Sequence, residues 1–369
     1  MSSRAPARLR LAAALAWRWP WSRLTRRRPP RLPTEIWVIH QLLLGDTIMV
    51  ASLLAKLRAR YPDARIAVIL PAALAPLFAG RPWGVEAVPF DPRRVDSLMT
   101  VLRRPPPDLA LVPGDNRYGW LALAAGARWI VGFDGDRPPY KSWCFDELRP
   151  YSNAPAAWTD MVATLIDGPP PTPYRSVDWP SPPASGYPRP EGDYVVLHVG
   201  ARSPLKLWPE ASWRALISAL QAAGEQPVLT CGPGENAALE ALADLRLRAY
   251  PGTLTLIQLR DLLAGARAVI CPDNGVGHLA RVAGTPTVCL FGPGSALLFG
   301  AGGFWSRMPF AALSVDVPCR DQPNLFKRVL PWVRTCERFP PACPRHVCMP
   351  GITPADVFAA LTELLEEKP

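Results

Sequence analysis

The chain has 369 residues, of which 49% are hydrophobic and 20% charged. This length suits two domains of ordinary size, and the composition excludes a disordered chain because it supplies enough apolar surface for packed cores. The formal net charge is +10, but nine arginines and no acidic residue lie in residues 1–33. The rest of the chain is almost neutral, so we expect no nucleic-acid partner.

The basic segment 1–33 also contains Trp17, Trp19 and Trp21. Arginine mixed with tryptophan is typical of the headgroup zone of an anionic membrane. The apolar stretch 11–17 is too short to span a bilayer, and no small-residue cleavage site follows it. Two interpretations stay open: a disordered basic extension, including one added by a start codon placed too early, and peripheral attachment to an anionic membrane surface.

Four cysteines occur singly in apolar stretches, as expected of small buried side chains in a reducing compartment: Cys144, Cys231, Cys271 and Cys289. The sequence predicts no transmembrane segment. We therefore expect a cytoplasmic protein, either free or peripheral at the cytoplasmic face of an inner membrane.

The first half of the chain alternates between apolar runs and helical patterns. Residues 35–40 predict a strand, and a glycine turn and a helix that ends before Tyr61 and Pro62 follow it. Further strands are predicted at 65–70, 85–90, 109–112 and 129–131. Repeated strand–helix units predict a parallel sheet covered on both faces, here a domain at 34–167.

Residues 168–192 are rich in proline, serine and glycine and predict an interdomain linker. The alternation then restarts in a second domain at 193–369. Its predicted strands are 194–198, 227–230, 268–271 and 287–291, and its predicted helices are 211–223, 237–245, 256–264 and 278–283. The fold class is therefore α/β, with two doubly wound Rossmann-like domains facing across a cleft where ligands of such folds bind.

The loop after the first strand contains Gly45 and Asp46. Asp46 has two possible roles. It can cap the helix that follows, or it can lie at the mouth of the cleft and accept a proton from a sugar hydroxyl.

Two loops follow strands of the second domain. The first carries Gly200, Ser203 and Lys206, which offer backbone N–H groups and a cation to phosphate, although a surface lysine is commonly just solvated. The second carries Gly232 and Glu235. Glu235 can accept ribose hydroxyls or cap the next helix.

The most informative segment combines Asp273, Asn274, Gly275 and His278. A strand, a glycine-rich turn and a helix start follow in the order that directs free N–H groups and a positive helix end at a diphosphate. His278 adds a donor, although a lone histidine is more often structural.

Four cysteines lie close together near the C-terminus, with His346 among them: Cys319, Cys336, Cys343 and Cys348. They could bind a structural metal, but their spacings contain no CxxC pair. Free thiols are the favoured alternative.

Taken in order, these loops resemble the lipopolysaccharide heptosyltransferase family, which comprises ADP-heptose-dependent inverting glycosyltransferases of GT-B fold. The resemblance spans roughly residues 35–365. It rests on residues 44–46 (LGD), 61–66 (YPDARI), 198–201 (HVGA), 206–209 (KLWP), 232–235 (GPGE), 273–280 (DNGVGHLA), 284–287 (GTPT), 291–293 (FGP), 348–349 (CM) and 352–354 (ITP).

The resemblance implies a role for each loop. Asp46 matches the base that deprotonates the acceptor, Lys206 the cation facing the diphosphate, and Glu235 the ribose contact. Residues 273–278 match the loop that holds the diphosphate and donor sugar. No cofactor and no catalytic metal are implied, because a helix start, Lys206 and His278 would stabilise the ADP leaving group.

The chain also departs from the family pattern. Leucines occupy 42–44 where serines are common, Asn274 replaces serine or threonine, and residues 320–335 resemble an insertion. The implied function is transfer of a sugar, heptose from ADP-heptose, to a lipopolysaccharide-core or other lipid-linked or glycan acceptor. The alternatives are a nucleotide-sugar epimerase, a UDP- or GDP-sugar transferase, or a non-catalytic nucleotide-sugar-binding protein.

Overall fold

The computed structural model describes residues 5–24, 28–338, 342–343 and 346–366. The described chain forms two compact units. Unit 1 lies within 1–154, 159–172 and 324–331, and unit 2 within 155–158, 173–323 and 332–369.

Unit 1 contains a six-stranded parallel sheet of order β3-β2-β1-β4-β5-β6. Its strands are β1 (Glu35–Ile39), β2 (Arg65–Leu70), β3 (Glu86–Pro89), β4 (Leu109–Val112), β5 (Ile130–Phe133) and β6 (Glu147–Arg149). The central strands β1 and β4 are buried along their whole length, as expected when helices cover both faces. Strand β6 is at the edge and was not predicted.

The helices of the first half of the chain are α1 (Ala5–Leu24), α2 (Leu44–Met49), α3 (Ala51–Arg60), α4 (Val95–Leu102), α5 (Gly119–Ala125) and α6 (Trp158–Val162). Helix α1 packs against α4 and α5. Its Ala7 is buried, and Leu11 and Leu15 pack against the core of unit 1. Residues 5–24 therefore form a docked helix instead of the disordered extension that was one of two expectations; residues 1–4 and 25–27 lie outside the described residues.

Unit 2 repeats the architecture with a parallel sheet of order β12-β11-β10-β7-β8-β9. Its strands are β7 (Val195–His198), β8 (Pro227–Cys231), β9 (Arg248–Pro251), β10 (Ala268–Pro272), β11 (Thr287–Leu290) and β12 (Phe310–Leu313). Its helices are α7 (Glu210–Ala222), α8 (Ala237–Glu240), α9 (Leu256–Ala264), α10 (Gly275–Ala283), α11 (Ala296–Phe299) and α12 (Pro354–Glu366).

The segment predicted as a linker divides between the two units at residues 172 and 173. Its second part packs as part of unit 2. Tyr174 and Trp179 are buried, and the Tyr174 hydroxyl donates to the carbonyl of Val282 at 2.8 Å.

A hairpin from the predicted insertion belongs to unit 1. Its strands are β13 (Asn324–Leu325) and β14 (Arg328–Val329), which pair antiparallel. The chain thus leaves unit 2 after residue 323, contributes this hairpin to unit 1, and returns to unit 2 at residue 332.

Both sheets have the strand order 3-2-1-4-5-6 of a Rossmann fold, counted within each unit, which confirms the predicted fold class. The order reverses between β1 and β4 in unit 1 and between β7 and β10 in unit 2. Ligands of such sheets bind beyond the carboxyl ends of the strands at these switch points. Among the described helices, none is both long and apolar enough to cross a membrane.

Candidate functional site

The switch point of unit 2 brings together two of the loops singled out in the sequence. Strands β7 and β10 are parallel neighbours, with Val195 opposite Ala268 and Leu197 opposite Ile270. The loop with Gly200, Ser203 and Lys206 therefore leaves the same sheet edge as the loop 273–278. Ser203 precedes a short 3-10 helix (Pro204–Lys206), and its carbonyl accepts from the Lys206 N–H at 2.9 Å.

Lys206 is held by Asp273. Its ammonium donates to Asp273 Oδ2 at 2.7 Å and to the Asp273 carbonyl at 2.8 Å. A Cβ on Gly294 would lie 2.1 Å from Asp273 Oδ2, so that position needs glycine for the backbone to approach the carboxylate. An ammonium has three donors. The two bonds to Asp273 orient Lys206 and leave its third donor for a ligand.

Asn274 joins the two loops and caps α10. Its side-chain oxygen accepts from Val276 N–H at 2.9 Å, and its Nδ2 donates to the Gly200 carbonyl at 3.2 Å. Helix α10 begins at Gly275. The start of a helix carries unpaired N–H groups and the positive end of the dipole, so this turn has the chemistry of an anion site.

His278 lies in the first turn of α10 and is buried, with 6% of its surface exposed. Its Nδ1 lies 3.3 Å from Arg281 Nη2. Since a guanidinium can only donate, Nδ1 is the acceptor and the ring proton is on Nε2. Burial, with the positive charges of Arg281 and Lys206, lowers the pKa of His278 well below its ordinary value. His278 is therefore a neutral imidazole that offers an Nε2–H donor.

Arg281 is a residue that the sequence analysis missed. It is 1% exposed, donates to the Gly300 carbonyl at 2.7 Å, and stacks over the Phe310 ring at 3.9 Å from the centroid. Burial lowers its pKa to about 10, so it is still charged at pH 7. Arg281 follows His278 by three residues on a helix, and that spacing was the available signal for their contact.

Glu235 closes the turn after β8. Its Oε2 accepts from the Gly232 N–H at 2.9 Å. A Cβ on Gly200 or on Gly232 would lie 2.2 or 2.7 Å from the same oxygen, which explains glycine at both positions. The carboxylate caps its own turn, whereas α8 begins at Ala237 after Asn236.

His198 lies beside Glu235, with 4.0 Å between Nε2 and Oε2. Burial lowers the pKa of His198 to about 4, so the ring is neutral at pH 7 and the pair is not an ion pair. His198 Nδ1 instead forms a hydrogen bond with the Thr230 hydroxyl at 2.9 Å. The Gly232 N–H holds the Glu235 carboxylate, which lies against Gly200 of the loop after β7.

Asp46 lies in unit 1 on α2, directly after β1 and beside the switch point of that sheet. Gly45 precedes it in the first turn of the same helix. The Leu43 N–H donates to Asp46 Oδ2 at 3.2 Å, so the carboxylate caps α2, and the side chain is half-buried. The capping interpretation is confirmed, and the role as a base stays a prediction.

A buried charged cluster beyond β4 and β5 of unit 1 was also missed. Lys141 Nζ lies 2.9 Å from Asp136 Oδ1, with side chains 4% and 1% exposed. The N–H of Asn116 donates to Asp136 Oδ2 at 2.9 Å, and Arg328 donates to the Asn116 side chain at 2.9 Å. Arg328 also donates to the Asp134 carbonyl at 2.8 Å. The cluster therefore holds the hairpin β13–β14 on unit 1.

The four C-terminal cysteines line one cavity of about 330 Å³, together with His346 and Arg338. All four are free thiols. Within the described ranges, which omit 339–341 and 344–345, no group of three or more potential ligands is arranged to hold a metal ion. The cysteines thus lie near one another, but their arrangement does not support the metal interpretation.

Residues 97–322 match glycosyltransferase family 9 (heptosyltransferase), and this match covers more than half of the chain. The chain belongs to this family. The matched region runs from α4 to the segment just before the hairpin and includes both loops of the β7/β10 switch point. Family 9 membership confirms the resemblance drawn from the ordered loops.

Named relatives agree with this family. The chain is 30% identical over 222 residues to lipopolysaccharide heptosyltransferase 1 of Pseudomonas aeruginosa, covering 55% of this chain and 58% of that protein. It is 28% identical over 305 residues to lipopolysaccharide heptosyltransferase 2 of Escherichia coli, covering 71% and 83%. The chain therefore matches somewhat over half the length of the first relative.

The structure of Escherichia coli ADP-heptose lps heptosyltransferase II has the same fold. The TM-score is 0.68 at 22% identity, and the match covers 90% of this chain and 99% of that chain. At this identity the likeness is one of fold.

Proposed function

We propose that this protein is an inverting glycosyltransferase that moves heptose from ADP-heptose to a lipopolysaccharide-core or other surface-glycan acceptor. The observation that carries the proposal is the anion site of unit 2, in which the start of α10, Lys206 and the Nε2–H of His278 occur at one switch point. Because the chain belongs to glycosyltransferase family 9, we assign this anion site to the donor of a sugar-transfer reaction.

The donor binds to unit 2 in three parts. Lys206 and the N–H groups at the start of α10 hold the diphosphate, apart from the Val276 N–H that Asn274 already accepts. An ammonium and a helix start both favour negative charge. The Glu235 carboxylate accepts hydrogen bonds from the ribose hydroxyls, and Gly200 and Gly232 let this carboxylate lie close to the backbone of both loops. His278 donates from Nε2 to a phosphate or sugar oxygen.

The reaction is one in-line displacement. Asp46 takes the proton of the acceptor hydroxyl, and the acceptor oxygen forms a bond to the anomeric carbon as the bond from that carbon to the diphosphate oxygen breaks. The electron pair leaves with ADP. Lys206 and the α10 helix start stabilise the charge that develops on the leaving oxygen.

The proposed place of action is the cytoplasmic face of an inner membrane, with the arginine-rich helix α1 as the peripheral attachment. This location would bring the enzyme to a lipid-linked acceptor.

Turnover of the full chain with ADP-heptose tests the proposal, with ADP release and acceptor mass as readouts. Asp46→Asn should lower kcat by about 10²–10⁴-fold, the usual value of a general base, because the amide still accepts from Leu43 N–H but cannot take the proton. Asp63→Asn, an exposed carboxylate of the same unit, should keep wild-type turnover. Full turnover by Asp46→Asn would remove Asp46 from the mechanism.

The choice of nucleotide separates the alternatives. Thermal shifts with equal concentrations of ADP, UDP and GDP should show the greatest stabilisation by ADP, because a ligand that binds only the folded state raises Tm more when its Kd is lower. Preference for UDP or GDP would favour another nucleotide-sugar transferase or an epimerase. Donor binding without turnover on a broad acceptor panel would favour a non-catalytic binding protein.

A further inference from the structure

A groove of about 790 Å³ lies between helix α1 and the body of unit 1. This volume is in the range of sites that take small organic ligands. Helix α1 forms one wall, and α4, α5 and the segment after β3 form the other. Apolar side chains make up the interior: Leu11, Leu15, Phe90, Leu98, Trp120 and Leu121.

The rim of the groove differs from its interior. Trp19 and Tyr140 line it and are 36% and 48% exposed. Arg8 and Arg117 line it as well, and Arg117 is paired with Asp115 at 2.6 Å. Arg8 therefore gives the rim of the groove its net positive charge. Arg8 lies on α1, whose sequence contains four arginines and no acidic residue.

These features together specify the occupant. It has to be apolar enough for the interior and anionic enough for the basic rim, and exposed tryptophan and tyrosine are the side chains found at the level of lipid headgroups. A second copy of the chain would bring a like-charged helix to the rim. We propose that the groove binds one acyl chain of an anionic membrane glycerophospholipid, with the phosphate at Arg8. This inference rests on the membrane attachment proposed above, and it is independent of the sugar transferred.

The groove can be probed through its own tryptophan. Trp120 lines it and meets Trp19 edge to face, with 5.9 Å between ring centroids. Trp143 of the same unit is 53% exposed and lies outside it. In vesicles of phosphatidylcholine and phosphatidylglycerol with brominated phosphatidylglycerol chains, the full-length protein should show quenched tryptophan fluorescence. Trp120→Phe should lose a clearly greater part of this quenching than Trp143→Phe.

A second pair of variants tests the groove by affinity. Leu11→Glu and Leu9→Glu place the same charge on one helix, but Leu11 lines the groove whereas Leu9 is 71% exposed and does not. Leu11→Glu should weaken vesicle binding about tenfold more than Leu9→Glu, because only the substitution at Leu11 removes an apolar contact with the lipid acyl chain. Circular dichroism establishes that both variants keep their helices.

The outcomes separate the two proposals. If the wild-type protein does not sediment with anionic vesicles, membrane attachment fails and the groove proposal fails with it. If it sediments but the paired variants behave alike, the groove proposal is overturned while surface attachment stands. Sugar transfer to a soluble acceptor is measured without vesicles, so its failure would be seen separately.

Discussion

Arg281 Nη2 lies 3.3 Å from His278 Nδ1 in the interior of unit 2, and this contact determines which ring nitrogen of His278 carries the proton. A histidine at the start of a helix could meet an anion either as a cation or as a neutral donor. Because Arg281 is a permanent donor and burial keeps the ring neutral, the structure selects the neutral Nε2–H form.

Replacement of Arg281 should therefore change the tautomer of His278. Arg281→Met leaves Nδ1 and the Gly300 carbonyl without their donor, and we expect a lower kcat and a free energy of unfolding reduced by about 1–3 kcal/mol. The ¹⁵N chemical shifts of His278 report the tautomer directly. Arg281→Lys keeps a donor and should restore part of the wild-type spectrum; an unchanged spectrum in Arg281→Met would contradict this relationship.

The Lys206–Asp273 pair predicts that substitutions at these two positions have coupled effects on stability. Lys206→Met removes the leaving-group cation and leaves Asp273 nearly buried without its partner, so kcat/KM should fall about 10²–10³-fold and Tm should decrease. Adding Asp273→Asn should recover stability but not activity. The exposed Lys327→Met serves as the control, and recovery of activity in the double variant would exclude Lys206 from leaving-group stabilisation.

The close approach of Gly200 to Glu235 gives a test of the ribose site. Gly200→Ala would place a Cβ 2.2 Å from Glu235 Oε2 and should raise the KM for the donor about tenfold, because the carboxylate must move. In a Glu235→Ala background the same substitution should add little. Additive effects of the two changes in a double-mutant cycle would show that the two positions are not coupled.

Arg328 predicts a stability effect in unit 1. Arg328→Ala removes a cation that is 2% exposed and contacts the Asp136 cluster, so we expect a loss of about 3–5 kcal/mol. Urea unfolding measures this loss of stability, and limited proteolysis shows whether the hairpin becomes accessible to cleavage. Val329→Ala, at a 67% exposed position on the same strand, should change stability little. Equal stability of the two variants would show that the cluster does not hold the hairpin.

Three buried histidines predict acid sensitivity. Burial lowers the pKa of His40 to about 3 and of His198 to about 4, and that of His278 lies well below its ordinary value. Below about pH 6.5 each of these histidines is protonated in the unfolded chain but not in the folded chain. As the pH falls, each one therefore lowers the free energy of unfolding by about 1.4 kcal/mol per pH unit, until its pKa in the folded chain is reached. Their stabilising contribution is thus complete above pH 6.5. The free energy of unfolding, measured with urea between pH 7.5 and 4.5, should depend less steeply on pH in His198→Gln than in the wild type. An unchanged pH dependence would show that His198 is not one of the titrating groups.

Much of the fold could be predicted because its signals are local. Central strands such as β1 and β10 are buried on both faces and appear as continuous apolar runs, which short sequence windows reveal. Three edge strands, β6, β9 and β12, were missed because they are partly exposed and lack such runs. Helix α10 begins at Gly275, three residues earlier than predicted, because its cap is the side chain of Asn274.

By itself, the sequence determined the two α/β units and the loops that carry the candidate site, because strand ends and glycine turns depend on neighbouring residues. Only the tertiary structure decided how those residues are used. It placed Lys206 on Asp273, 67 residues away, and Arg328 on Asn116, 212 residues away. It also docked α1 on unit 1 and made His278 a neutral donor through Arg281. These outcomes depend on burial and on contacts across the sheets, which no local pattern in the chain records.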